Sequence, residues 1–178
     1  MDYTEKTIKT DRVYEGKVIN FKVDTVELPN GKTAIRELVE HPGGVGIVVL
    51  DNDNNIIMVE QFRKPYDKTI LEIPAGKRDK GENTETCGRR ELEEETGLLA
   101  DEFICLGECY PSVGYTDEVI TLYLAKGLKK SSQHLDDDEF LDLVKIPFAK
   151  AVEMIMNNEI CDAKTIVGIL KAKEVLLK

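Results

Sequence analysis

Residues 18–26 are rich in strand-forming side chains, residues 33–39 alternate polar with apolar, and Leu28-Pro29-Asn30-Gly31-Lys32 between them carries turn chemistry. That pattern predicts a β-hairpin, so the first 40 residues read as a small antiparallel sheet of two or three strands. A sheet of that size is marginal alone and must pack on the rest of the chain or on a second subunit. His41-Pro42-Gly43-Gly44 breaks the pattern. Residues 45–50 then form an unbroken apolar run, expected as a buried strand, and residues 51–55 turn the chain into a further strand at 56–62. Residues 103–109, 119–125 and 140–146 add strand candidates. Helical spacing appears at about 85–96, at 148–156 and at 162–177, where Ala163, Ile166, Val167 and Leu170 form one apolar stripe. For the first helix, Thr84 is the expected N-cap, Glu85 suits the positive end of the dipole, and Gly97 stands where a left-handed C-terminal cap belongs. The organisation is mixed and strand-rich: an α/β fold with a small N-terminal sheet at 1–41 and a main domain at 42–178.

Composition narrows the partners. A chain of 178 residues with 42% hydrophobic content can bury one ordinary core with a small appended sheet. Its 34 acidic and 24 basic residues give a net charge of −10, which opposes attraction to long nucleic acid. A small phosphorylated substrate stays compatible, because a bound cation reverses the local field. Cys87, Cys105, Cys109 and Cys161 include no CxxC pair and read as buried or incidental thiols. No N-terminal signal-like segment and no apolar run near the ~20 residues needed to cross a bilayer are visible, so a reduced cytoplasmic location with no membrane association is expected.

The chemistry lies in the first helix. Glu91, Glu94 and Glu95 stand at i, i+3 and i+4 and so share one face. Like charges at that spacing cost a few tenths of a kcal/mol each when solvated. A solvated acidic face is the plain explanation of such a run; a platform for a hard divalent cation, which takes oxygen ligands, is the functional one. The surrounding spacing favours the second. Gly76, five residues, Glu82, seven residues and then Arg90-Glu91-Leu92-Glu93-Glu94-Glu95-Thr96-Gly97-Leu98 resembles the Nudix box at every specified position. Val59-Glu60-Gln61-Phe62-Arg63-Lys64-Pro65, Leu71-Glu72-Ile73-Pro74-Ala75-Gly76, the glycine-containing loop that ends at Glu118, and Asp162-Ala163-Lys164-Thr165 resemble the ADP-ribose pyrophosphatase branch of the Nudix hydrolases. The likeness runs from about Gly16 to the C-terminus.

That resemblance implies a Nudix fold, a mixed sheet between helices, with the N-terminal sheet exchanged between the subunits of a homodimer. It implies hydrolysis of ADP-ribose to AMP and ribose 5-phosphate with Mg2+ or Mn2+. Another nucleoside diphosphate sugar or a dinucleotide is the alternative substrate, and a non-catalytic metabolite sensor the alternative class. By position, the Ala75 carbonyl, Glu91 and Glu95 match the metal ligands, with Glu94 an additional or water-bridged one. Gly76, Glu82, Arg90 and Gly97 match structural positions of the box, the Glu82–Arg90 charges tying loop to helix. Glu118 matches the general base carried by a mobile loop, and Glu94 competes for that role. Arg63 matches a pyrophosphate-binding position, where a forked donor suits phosphate oxygens; a surface salt bridge is its plain alternative. Arg36 and Glu37 match positions that contact adenine from the partner subunit, or else are ordinary strand-surface charges, and Gly114 lets the loop approach the terminal ribose or merely turns it. Val113 stands where many relatives carry proline. Gly88 interrupts the helix at a propensity cost of about 1 kcal/mol, which a close packing contact would explain. His41 and His134 fit turn or surface roles, and the acidic run 136–139 reads as a solvated loop, with a metal or substrate role as the alternative.

Overall fold

The apolar run after the two glycines becomes the middle of a seven-stranded sheet. In a computed structural model describing residues 2–135 and 139–177, β4 (Gly44–Leu50) is buried at all seven positions. Around it lie β5 (Asn55–Arg63), β6 (Lys68–Glu72), β7 (Ala75–Lys77), β8 (Leu98–Cys109), β9 (Ile120–Lys130) and β10 (Leu141–Pro147), in the order β10-β5-β4-β9-β8, with β6 on β5 and β7 on β4. The pairing of β4 with β9 is parallel and the others are antiparallel, so the sheet is mixed.

Alternation along the central strands sends side chains to two separate layers. Val45, Ile47 and Val49, with Tyr123 and Ala125, pack on Cys87 and Leu92 of α1 (Thr84–Thr96). Val48 and Leu50, with Leu122 and Leu124, pack on Ala151 of α2 (Phe148–Met156) and on Ile169 and Ala172 of α3 (Ala163–Leu176). A strand covered on both faces needs no polar alternation, which explains the unbroken apolar run. The buried face of α3 is Thr165, Gly168, Ile169 and Ala172; Ala163 and Leu170 of the expected stripe are exposed, because the helix turns its small residues to the sheet. Gly88 has a packing reason. A Cβ there would come within 3.0 Å of Cζ of Phe103, whose ring stacks on Tyr123 with centroids 4.6 Å apart.

Two compact units divide the chain: Met1–Gly43 with Tyr110–Val119, and Gly44–Cys109 with Ile120–Lys178. The first holds a three-stranded antiparallel sheet, β1 (Lys6–Glu15), β2 (Asn20–Glu27) and β3 (Thr33–Glu40), in that order. Leu28 N–H donates to Lys32 and Gly31 takes a positive φ of 76°, so the expected turn forms. Residues 110–119 add a short parallel bridge, Val39 to Thr116, in the same unit. Among the described residues no helix is long and apolar enough to cross a membrane.

Candidate active site

Asn83, not Thr84, caps α1: its side-chain oxygen accepts from Glu85 N–H at 2.8 Å, while the Thr84 hydroxyl pairs with the Tyr123 hydroxyl at 2.7 Å. Tertiary contact diverts Thr84, and its neighbour satisfies the open helix end. At the other end Gly97 adopts φ 65° and donates to the Glu93 carbonyl at 2.8 Å. The segment after β9 also closes this end, with His134 N–H on the Glu94 carbonyl at 3.0 Å and the Gln133 amide on the Glu95 carbonyl at 2.6 Å.

Between those caps the helix turns two carboxylates inward. Glu91 is 8% exposed and Glu95 2%. Glu95 Oε2 accepts from Ala75 N–H at 2.9 Å. Glu91 rests on Gly76: a Cβ at that glycine would lie 1.9 Å from Glu91 Cδ. Both carboxyl groups therefore converge on residues 75–76 of β7, and only a residue without a side chain leaves the space. Burial pushes the Glu91 carboxyl up to about 7, against the pull of Arg90 and with a further push from Glu94 and Glu139. Burial pushes Glu95 up to about 8, against the Ala75 hydrogen bond and the charge of Arg63, with Glu91 and Glu139 adding to the rise. Glu139 is the described end of the acidic run; the rest of it, residues 136–138, lies outside the described residues.

Arg90 organises the approach to this pair. Its Nε and Nη2 donate to the two oxygens of Glu82, both at 3.1 Å, and its Nη1 reaches Glu91 at 2.8 Å and Glu94 at 2.7 Å. Those contacts, with the Asp79 N–H also donating to Glu82, hold the Glu82 carboxyl down at about 2. Nη1 draws Glu91 and Glu94 together while Glu95 turns to a backbone N–H, and among the described residues no three His, Cys, Asp or Glu side chains are grouped to hold a metal ion. The oxygen donors that fit a hard cation here are two buried carboxylates beside the β7 backbone.

Arg63 ends β5 and lies side-on against Glu72, with Nε and Nη2 at 2.7 and 2.8 Å from its oxygens. In the other unit, Arg36 on β3 is bound by Glu5 through Nε at 2.8 Å and through Nη2, and Glu37 is exposed. Gly114 lies in open space, with nothing within 4 Å of an added Cβ. Glu118 sits 3.5 Å from His41 Nδ1, and the backbone N–H of His41 donates to Asp117 at 2.8 Å. The His41 ring itself serves the turn, its Nδ1 accepting from Gly43 N–H at 3.1 Å, and it is the backbone N–H that ties residue 41 to the loop.

Glu72 and Lys164 lie in segments that carry the resemblance but have no individual role in the sequence, and His41 reads there only as a turn or surface residue. For Glu72 a signal was present, since an acidic residue closing an apolar strand, Ile70-Leu71-Glu72-Ile73, must find a partner if it is buried. His41 gave none, because its contact joins residues 77 positions apart.

A mixed sheet between helices, with a carboxylate helix laid over a glycine of β7, is the arrangement whose family sequence comparison identifies. Residues 40–166 match the NUDIX domain family and residues 5–39 match the nucleoside diphosphate sugar hydrolase N-terminal domain; the chain belongs to the Nudix hydrolases. It is 44% identical to the ADP-ribose pyrophosphatase of Bacillus subtilis (strain 168), covering 97% of this chain and 95% of that one. It is 47% identical to the methanol dehydrogenase activator of Bacillus methanolicus, covering 94% and 91%. A crystal structure of an ADP compounds hydrolase superposes with a TM-score of 0.86 at 21% identity, over 97% of this chain and 94% of that one, and so shares the fold.

Proposed function

We propose that this chain hydrolyses the pyrophosphate of ADP-ribose to AMP and ribose 5-phosphate. The observation that carries the reading is the convergence of buried Glu91 and Glu95 on Ala75 and Gly76. In this reading Glu91, Glu95 and the Ala75 carbonyl hold Mg2+ or Mn2+, with Glu94 an outer or water-bridged ligand. A divalent ion held there would supply Lewis-acid chemistry, offsetting charge on phosphate oxygens and polarising water. Arg90 and Glu82 keep the acidic helix in register with the β7 backbone. Arg63 presents forked donors to the phosphates. Glu118 takes the proton of the attacking water; Glu94 is the competing base. Arg36 and Glu37 receive adenine across a homodimer, and Gly114 admits the terminal ribose.

Two features support the homodimer. All ten residues of β1 are exposed, and Ile8, Val13 and Ile35 present apolar side chains to solvent on a sheet too small to stand alone.

Product analysis tests the function. Purified protein incubated with ADP-ribose, ADP-glucose, GDP-mannose, NADH and diadenosine polyphosphates, with Mg2+ and with chelator, should form AMP and ribose 5-phosphate chiefly from ADP-ribose and only with metal. Turnover of another compound instead would keep the chemistry and move the substrate. That alternative has support in a GDP-mannose pyrophosphatase of Yersinia enterocolitica, 34% identical over 74% of both chains. The relative named as a methanol dehydrogenase activator supports a second reading, stimulation of a dehydrogenase, which adding the protein to methanol dehydrogenase tests directly.

The raised carboxyls give a pH test. Values of about 7 and about 8 in the folded state exceed the unfolded value of about 4.3. The stability tied to their protonation is therefore complete below about pH 4 and lost as pH rises through 7 and 8. Glu72 and Glu82 are shifted down and act oppositely, but only in the acid range. Melting of the metal-free protein should shift to lower temperature between about pH 5 and pH 8.5, and Mg2+ should raise it most at the alkaline end. A flat profile would mean that both carboxylates ionise freely.

A further inference from the structure

Arg63 is held from behind by an ion network of its own. Glu72, which takes Nε and Nη2 of Arg63, is 2% exposed and also accepts from Lys164 Nζ. Lys164 donates onward to Asp162 at 3.0 Å, and Asp162 caps α3 by accepting from the N–H and hydroxyl of Thr165 at 3.0 and 2.6 Å. The Thr165 hydroxyl in turn receives Ile73 N–H at 2.9 Å. The network is graded in exposure: the side chains of Glu72 and Lys164 are 3% and 11% exposed, that of Arg63 36%. Its closed end lies in the core and its open end is the guanidinium.

The contact geometry suits a task. A guanidinium has five N–H donors in a rigid plane, and the side-on contact with Glu72 leaves the Nη1 edge out of the pairing. A carboxylate alone in that position would fix the plane but would also repel an anion approaching Arg63. Lys164 supplies a second positive charge against the same carboxylate. Asp162 adds a negative one, set at the positive end of the α3 dipole. Arg63 also feels the charge of Glu95, which places it on the electrostatic side of the candidate metal pair.

We infer that Glu72 and Lys164 are positioning residues for the substrate phosphates: Glu72 sets the plane of the Arg63 guanidinium, and Lys164 offsets the Glu72 charge so that Arg63 still attracts an anion. The assignment rests on the pyrophosphatase reading. A network that only ties α3 to the sheet would stabilise the fold without passing through Arg63, and a double-mutant cycle separates the two.

kcat and KM for ADP-ribose are to be measured in wild type, Glu72→Gln, Lys164→Met, Arg63→Ala and the two double variants that contain Arg63→Ala, each normalised to its folded fraction. Glu72→Gln should raise KM by about 10- to 100-fold with kcat changed less than about threefold, and Lys164→Met should raise KM by about 10-fold. Neither should add to the loss in Arg63→Ala. Losses that persist undiminished in the Arg63→Ala background would overturn the assignment while leaving the hydrolase active. Absence of turnover in wild type would overturn the pyrophosphatase reading and this assignment with it. Should Glu72→Gln fail to fold, the Lys164→Met cycle makes the same comparison.

Discussion

Glu95→Gln is expected to yield a protein that melts no lower than its parent, and higher at alkaline pH, while losing about a thousandfold in kcat/KM with Mg2+, on the order of 4 kcal/mol of transition-state stabilisation. The two effects share one cause. Glu95 is 2% exposed, and its carboxyl is pushed up to about 8 chiefly by burial, so without a cation its ionised form is unfavourable. Glutamine keeps the shape and the oxygen that accepts from Ala75 N–H at 2.9 Å, and it carries no charge to desolvate. What it lacks is the negative charge of a carboxylate, so it holds a divalent ion far more weakly. Melting curves of metal-free protein at pH 6 and pH 8.5, read beside kcat/KM, check both halves. Full turnover in Glu95→Gln would remove Glu95 from the reaction.

Gly76→Ala should be nearly as damaging, through geometry rather than charge. The added methyl would stand 1.9 Å from Glu91 Cδ and little more than 2 Å from both its oxygens. β7 cannot retreat, because Gly76 pairs with Val45 on the buried central strand. Glu91 must move instead, by more than 1 Å, and a displacement of that size at a reacting centre costs about 100-fold in rate. Overpacking should also lower stability by about 1–3 kcal/mol. Gly81→Ala is the control: Gly81 has a φ of +82° but nothing within 4 Å of an added Cβ, so alanine there strains the loop without touching a carboxylate. Activity near wild type in Gly76→Ala, with loss in Gly81→Ala, would reverse this account.

Some elements were legible because local rules and the tertiary fold agree. The helix carrying Glu91, Glu94 and Glu95 is announced by spacing and Gly97, and the unbroken apolar run of β4 marks a strand covered on both faces. Where they diverge, the sequence misleads. β1 carries no core-facing alternation, since all ten of its residues are exposed, so no pattern announces it. Thr84 has the composition of a cap but is claimed by Tyr123, and Asn83 takes its place. On α3, hydrophobicity pointed to Ala163 and Leu170, whereas the sheet selected Thr165 and Gly168, which let the helix come close.

By itself the sequence determined the fold class, the helix that carries Glu91, Glu94 and Glu95, and that those carboxylates share its face, because covalent spacing and helical period suffice to align residues three and four apart. Only the tertiary structure decided that Glu91 and Glu95 meet Ala75 and Gly76, that Arg90 gathers Glu82, Glu91 and Glu94, and that Arg63 is braced by Glu72 and Lys164. Glu72 and Lys164 are 92 residues apart, and no local periodicity relates them. Their meeting, and the burial that shifts the carboxylates of the site, follow from how the strands and helices pack.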